Sequence, residues 1–83
     1  MTIKNKYQIW FKTSNRKWNK TPKTNLLLEA LQSIPNDDTI MRITPCICDG
    51  KELGTVVEND MQFVKNWVAD NLPDIKRITK HIN

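Results

Sequence analysis

The chain has 83 residues and a formal net charge of +4, and 39% of its residues are hydrophobic and 27% charged. This length fits one domain, and this composition is ordinary for a globular protein in water. No stretch approaches the roughly 20 apolar residues of a membrane-spanning helix, and the N-terminus lacks the apolar segment of a signal peptide, so we expect a single cytoplasmic domain with no membrane partner.

The first predicted element is a β-strand at Lys6–Thr13, where side chains of two kinds alternate. Its first face is apolar and is expected in the core: Tyr7, Ile9 and Phe11. Its second face is polar and basic but includes one tryptophan: Lys6, Gln8, Trp10 and Lys12. The turn residues 14–16 follow, and Lys17–Thr21 is a candidate for a short second strand that carries Trp18.

An amphipathic helix of about ten residues is predicted after Pro22, which blocks further strand pairing. Either Thr24 or Asn25 supplies a side-chain oxygen that can cap the first helical turn, and Pro35 ends the helix. The apolar stripe of this helix repeats at helical spacing and consists of Leu27, Leu31 and Ile34.

Thr39–Cys48 has the pattern of a second long strand. The apolar face of this strand consists of Met41, Ile43 and Ile47. Because Pro45 has no amide hydrogen to donate, the strand is expected at a sheet edge or at a bulge. The pair Asp49–Gly50 tolerates the backbone angles of a type I′ turn and predicts a hairpin, with Lys51–Val57 as the returning strand.

A second amphipathic helix is predicted between an N-cap at Asn59 or Asp60 and Pro73. Its apolar stripe comprises Phe63, Val64, Trp67, Val68 and Leu72. The tail, residues 74–82, fits either a helix or a strand, and its β-branched alternation favours a strand. The side chains expected to be largely buried are Leu27, Leu31, Ile43, Phe63, Trp67 and Val68.

Two architectures accommodate these elements. Without a strand at Trp18, the order is β-α-β-β-α-β, which is the order of ferredoxin-like folds. With that strand, the chain consists of two hairpin–helix units, a doubled ββα arrangement. Both alternatives give an α+β fold, a two-layer sandwich in which an antiparallel sheet has two helices on one face.

Residues that carry catalysis or bind metal are sparse. Cys46 and Cys48 are separated by one residue, a spacing at which a disulfide is strained, and we interpret both as reduced structural cysteines. The lone histidine, His81, is far from both cysteines in sequence, and a structural zinc site needs four ligands. Two glycines do not make a glycine-rich phosphate loop. We therefore expect no enzyme activity, no cofactor and no metal.

Charge is distributed unevenly along the chain. Residues 1–23 contain seven basic and no acidic side chains, residues 24–75 have a net charge of −6, and residues 76–83 carry +3. The segment Lys6–Lys20 is both basic and aromatic, with four of the six aromatic residues of the chain. This asymmetry indicates an anionic partner for the two ends, or attraction between the ends and the middle.

Two hypotheses for the function follow. In the first, the chain is a small non-enzymatic protein that binds a host nuclease, polymerase or defence factor and regulates or inhibits it, since aromatic and arginine side chains dominate protein interfaces. In the alternative, it binds RNA or single-stranded nucleic acid directly, because cations attract phosphates and aromatic rings stack on bases.

The composition also suggests an origin. Lys, Asn and Ile, whose codons are AT-rich, make up 28 of the 83 residues, which is typical of small reading frames of phages or mobile elements. The expected partner is therefore a host protein and/or nucleic acid, with a homodimer as a further association. The candidate partner-binding residues are Lys6, Trp10, Lys12, Arg16, Lys17 and Trp18.

Overall fold

The computed structural model describes residues 6–75 and 77–82, in which five strands and two helices follow the order ββαββαβ. The strands are β1 (Tyr7–Thr13), β2 (Trp18–Lys20), β3 (Ile40–Asp49), β4 (Glu52–Thr55) and β5 (Arg77–Ile78). The helices are α1 (Leu27–Gln32) and α2 (Glu58–Asn71). The α+β class predicted from sequence is confirmed. The strand at Trp18 is present, as the doubled ββα alternative requires, and β5 is an addition to it.

The sheet is antiparallel in the order β2-β1-β3-β4, and β5 pairs with β3 in parallel. The two short strands share one edge of β3. β5 pairs with its first half at Arg42 and Ile43, and β4 pairs with its second half, from Cys46 to Asp49. The opposite edge of β3 pairs with β1 along the length of β1. The long strand β3 therefore lies inside the sheet, and every other strand except β2 pairs with it.

One face of the sheet, called here the inner face, carries the core. Phe11, Ile43 and Ile78 occupy adjacent positions across β1, β3 and β5. Side chains from β1, β3 and both helices form one cluster of buried residues: Ile9, Phe11, Leu27, Ala30, Leu31, Ile40, Ile43, Val64 and Val68. Four of the six predicted core residues belong to this cluster, and Trp67 packs against it partly buried.

The prediction that Phe63 is largely buried is wrong. Its side chain is 44% exposed, whereas Met61 and Val64 on either side of it are buried. Positions 61, 64 and 68 repeat at intervals of three and four residues and so share one helix face. Phe63 lies about 100° away from Val64 around the helix axis, outside the stripe that contacts the sheet.

Both predicted side-chain caps are also wrong. α1 has six residues rather than ten, and its N-cap, Leu26, makes no side-chain cap bond. Thr24 pairs its backbone with Tyr7 instead, and this extension of the sheet delays the start of the helix. α2 begins after Val57 without a side-chain cap, and the Asp60 carboxylate accepts a hydrogen bond of 3.2 Å from the Tyr7 hydroxyl.

Pro45 lies in the interior of β3, so the predicted edge position of this strand is wrong. Its partner in the register is Ile9, whose own backbone groups bond to Thr21 on the β2 side. Pro45 therefore faces the other edge of β3, between the pairings of β5 and β4. A missing amide hydrogen is tolerated at that gap because no ladder bond is required there.

A register shift near the start of β3 changes the face on which Met41 was expected. Lys12 pairs with Arg42, but Thr13 pairs with Ile40, so Met41 is an extra residue. Such a bulge reverses the alternation on one side of it. Ile40 is therefore buried, and Met41, which alternation placed on the same face as Ile43, is 56% exposed.

The two hairpins both need a residue with positive φ. The β3–β4 turn places Gly50 at φ 63°, and among the described residues only Gly50 and Arg16 have positive φ. A type I′ turn needs positive φ at both central residues, but Lys51 has negative φ. The turn therefore has the pattern of a type II′ turn rather than the predicted type I′. In the β1–β2 turn, Arg16 takes φ 64°, and its amide donates to the carbonyl of Thr13 at 2.8 Å.

Candidate functional site

The other face of the sheet, called here the outer face, brings basic residues from three strands into one line. Lys12 on β1 pairs with Arg42 on β3, and Arg42 pairs with Arg77 on β5. On the other side of Lys12, Trp18 is its partner on β2. We call Lys12, Arg42 and Arg77 the cationic row. It crosses the sheet one residue along from the apolar row of Phe11, Ile43 and Ile78.

The tryptophans of the outer face contact these cations. The ring of Trp18 has the Lys12 ammonium at 5.4 Å and the Arg42 guanidinium at 4.7 Å from its centroid. The ring of Trp10 has the Lys20 ammonium at 5.3 Å. Each contact of this kind is worth about 0.5–1 kcal/mol at an exposed site. The mixture of aromatic and basic residues in β1 and β2 therefore has a structural explanation, because the rings hold the cations in position.

A cavity of about 220 Å³ lies beside the cationic row. Its lining residues are Lys12, Arg16, Met41, Arg42 and Arg77. Arg16 reaches this cavity from the β1–β2 turn, where its φ is positive. Met41 reaches it because it is the extra residue of the bulge in β3. Four of the five lining side chains are cationic, and none is acidic.

An exposed ion pair joins the basic C-terminal end of the chain to its acidic middle. Its partners are Lys80 and Glu58, with 2.7 Å between Nζ and Oε2. It lies away from the cavity, and it lowers the pKa of Glu58 through the hydrogen bond from Lys80 and its charge. This contact is an instance of the predicted attraction between the basic ends and the acidic middle.

The rest of the outer face, called here its sealed half, is buried from solvent. Gln8, Thr44, Cys46 and Cys48 are each 5% exposed or less. The Gln8 side chain is fully engaged, because its Nε2 donates to the carbonyl of Thr21 at 2.8 Å and its Oε1 accepts from the Trp10 indole at 3.1 Å. This hydrogen bond fixes the Trp10 ring against the sheet.

The two cysteines lie in this sealed half and are free and buried. The thiol of Cys48 donates to Gln8 Oε1, and that of Cys46 donates to the carbonyl of Thr44, both at 3.5 Å. Burial, and to a smaller extent the charge of Cys48, raises the pKa of the Cys46 thiol to about 11. A thiol that stays protonated at neutral pH is a poor nucleophile and metal ligand, which agrees with the structural role expected for these residues.

The structure brings together four of the six candidate residues on one surface: Trp10, Lys12, Arg16 and Trp18. Lys6 lies apart, with its ammonium 5.2 Å from the Tyr7 ring centroid. Lys17 is exposed and lies just before the start of β2. Lys4 and Lys76, which contribute to the basic ends, are outside the described residues.

Three cations of the surface were missed by sequence reasoning: Lys20, Arg42 and Arg77. Arg42 had a usable signal, because it stands between two apolar residues in a strand. Placing it beside Lys12 additionally requires the register of β1 against β3, and placing Arg77 requires the register of β5. Both registers are non-local and are not encoded in side-chain alternation within one strand.

The described residues contain no group of three or more His, Cys, Asp or Glu side chains that could hold a metal ion. In the same residues, no helix is long and apolar enough to cross a membrane. Comparison with protein-family models, with curated proteins and with solved structures found no match for this chain.

Proposed function

We propose that this chain is a small non-enzymatic binding protein that regulates or inhibits a host macromolecule through its outer face. The contact surface consists of the cationic row together with Arg16, Lys20, Trp10 and Trp18. Lys17 lies at its margin, and Lys6 lies apart from it. The observation that carries the proposal is the convergence of basic side chains from three strands and one turn on a single open surface. Such a surface attracts anionic partners and accelerates their association.

The proposal assumes that both helices cover the inner face, since residues of α1 and α2 share one buried cluster with Ile9 and Phe11. The cationic half of the outer face is then the part of the sheet left open to a partner. We also propose that the protein acts in the cytoplasm and comes from a phage or mobile element. A homodimer through the exposed strand β4 is a further form of association.

Direct binding of RNA or single-stranded nucleic acid is the second candidate. The observation that favours it is the cationic row, whose regular arrangement across three strands suits a chain of phosphates. Phosphate contacts of this kind supply sequence-independent affinity that depends strongly on salt. Both candidates use the same surface, so one set of variants tests them together.

The test is partner capture from a bacterial lysate with wild type, Lys12→Glu/Trp18→Ala and Lys65→Glu, each with and without nuclease. Lys65 is exposed on α2 and controls for charge reversal as such. We expect wild type and the Lys65 variant to retain a defined partner and the double variant to lose it, with all three keeping the same circular-dichroism spectrum. Retention by the double variant would refute the proposed surface. Loss of the partner after nuclease treatment would identify nucleic acid as the component that is bound.

A further inference from the structure

The cavity beside the cationic row is one end of a longer depression. It shares Met41 and Arg77 with a neighbouring cavity of about 360 Å³, which Ile40 and Asp74 also line. A third cavity, of about 170 Å³, shares Ile40 and Asp74 with the second. Because cavities that share lining residues adjoin each other, the three form one continuous depression, called here the bipolar groove.

The far end of the bipolar groove is acidic. The third cavity has three exposed carboxylates, those of Asp37, Asp38 and Asp74. The topology brings them together, because Asp37 and Asp38 lie between α1 and β3, and Asp74 lies between α2 and β5. β3 and β5 pair in parallel, so both strands start at the same end of the sheet. The groove therefore runs from an acidic end at these strand starts to a basic end at Lys12 and Arg16.

Both ends have a charged group that is held in place before any ligand binds. The Oδ1 atom of Asp37 accepts hydrogen bonds from the amide of Thr39 at 2.8 Å and from its hydroxyl at 2.7 Å. These bonds lower the pKa of Asp37, which stays ionised at neutral pH. At the other end, the Lys12 ammonium lies 5.4 Å from the Trp18 ring centroid. Groups positioned in advance lose less conformational freedom on binding.

The middle of the bipolar groove is apolar. Ile40 and Met41 line it, and Met41 is 56% exposed. A methionine side chain is unbranched and adapts its shape to different apolar neighbours. Asp74 and Arg77 are three residues apart in sequence, so about 10 Å of extended chain separates the acidic end from the basic end. A matching ligand has opposite charges at this separation and apolar groups between them.

We propose that the bipolar groove binds an extended peptide segment of the partner protein, with acidic residues at one end, basic residues at the other and apolar residues between them. This inference rests on the proposed function and names the chemistry of the segment that is bound. A nucleic-acid backbone is negative along its whole length, so the acidic end repels it. A second copy of this chain would place one concave groove against the other and fill neither, because a two-fold interface uses the same patch on both copies.

The experiment measures fluorescence anisotropy of three labelled hexapeptides with blocked termini. The bipolar peptide is Glu-Glu-Leu-Leu-Lys-Lys, the interleaved peptide of the same composition is Glu-Lys-Leu-Leu-Lys-Glu, and the acidic peptide is Glu-Glu-Leu-Leu-Glu-Glu. We expect the protein to bind the bipolar peptide about tenfold more tightly than the other two at low salt, because it alone has a complementary charge at each end of the groove. Equal binding of the bipolar and interleaved peptides would overturn the proposal.

Reversing the charge of the acidic end tests the groove directly. Asp38→Lys/Asp74→Lys makes both ends basic, so its preference should pass from the bipolar peptide to the acidic peptide. Glu29→Lys/Asp49→Lys is the matched control, because it changes the net charge equally at exposed positions outside the three cavities. The control should still prefer the bipolar peptide, and all three proteins should have the same circular-dichroism spectrum. The same switch in the control, or no switch in Asp38→Lys/Asp74→Lys, would refute the groove.

Two further measurements test the other occupants. Sedimentation equilibrium should give the same molecular mass for wild type and Asp38→Lys/Asp74→Lys. A wild-type dimer that this variant abolishes would assign the groove to a second copy and overturn the peptide assignment. Unlabelled oligothymidylate should leave the bipolar peptide bound, and displacement at equal concentration would overturn the assignment in favour of nucleic acid.

Partner capture from lysate separates this inference from the proposed function. If capture depends on Lys12 and Trp18 but the protein does not distinguish the bipolar from the interleaved peptide, the groove is refuted and the proposed function stands. If the peptide preference and its switch are found but capture does not depend on these residues, the proposed function is refuted and the groove stands.

Discussion

Two rows of side chains cross the same three strands in neighbouring positions and have opposite character. Phe11, Ile43 and Ile78 form the inner row. The cationic row, Lys12 with Arg42 and Arg77, follows one residue along each strand. Both rows place similar side chains beside each other. Apolar neighbours stabilise the sheet because they leave water together, whereas neighbouring cations repel.

The two rows differ in what they contribute to folding and to the proposed binding. The inner row specifies the register, because a slip by one residue would expose it and bury the cations. The cationic row places like charges at paired positions, and its contacts with Trp18 offset part of their repulsion. Variants in the two rows should accordingly have opposite effects on the free energy of unfolding.

The largest expected effect comes from breaking the inner row. Ile43→Ala removes a fully buried side chain from the centre of the core cluster. The expected loss is about 2–5 kcal/mol of unfolding free energy, a large part of the stability of so small a protein. Urea titration followed by circular dichroism measures it. A loss below about 1 kcal/mol would contradict the position of Ile43 in the core.

The sealed half of the outer face should respond to alkaline pH. Folding raises the pKa of Cys46 from 9.0 to about 11, so the folded state favours the protonated thiol. The associated stability is complete below pH 9 and is lost as pH rises towards 11, by an amount on the order of 2–3 kcal/mol. The measurement is the difference in unfolding free energy between wild type and Cys46→Ala at pH 8 and pH 11. A difference that does not change with pH would show that the thiol is not buried.

Variants of two neighbouring residues in α2 test which face of this helix packs in the core. Val64→Ala should cost about 2 kcal/mol, because Val64 is fully buried in the cluster. Phe63→Ala should change the unfolding free energy by about 0.5 kcal/mol or less, because this residue is outside the stripe. Thermal melts of the two variants give the comparison. A larger loss for Phe63→Ala would mean that the helix is rotated from its position in this structure.

The smallest expected effect has the opposite sign. Arg77→Gln removes one charge from the end of the cationic row and should raise the unfolding free energy by about 0.2–1 kcal/mol at low salt. At about 1 M salt, the Debye length is near 3 Å, so the gain should disappear. Lys65→Gln is the matched control and should not show this gain at low salt, because the Lys65 charge attracts Glu58. A loss of stability at low salt would indicate that Arg77 is paired rather than repelled.

Local patterns predicted the elements well. The inner face of β1, the strand at Trp18, the hairpin at Asp49–Gly50 and most of α2 follow from alternation, helical spacing and turn chemistry. These features depend on residues close together in sequence. For the same reason the basic-aromatic character of β1 and β2 was visible at once.

Several of the errors come from interactions between distant segments. Thr24 fails as a cap because Tyr7 uses its backbone groups. Pro45 fits an interior strand because the gap between β4 and β5 lies beside it. The cationic row is assembled from three segments, and no single segment contains more than one of its members, so only the register between strands reveals it.

The gap at Pro45 also predicts how the edge of the sheet opens. β5 has two residues, and beyond them the segment is held by the amide of Thr79 on the carbonyl of Ile43, by the Thr44–Thr79 hydrogen bond and by the exposed Lys80–Glu58 pair. Because Pro45 separates these contacts from the pairing of β4, the tail can detach as a unit of local unfolding while the four-stranded sheet stays intact. In native-state hydrogen exchange, the Thr79 amide should exchange well before the amides between β1 and β3. Each opening removes Arg77 from its neighbours, so an anion bound at the cationic row should slow exchange at Thr79.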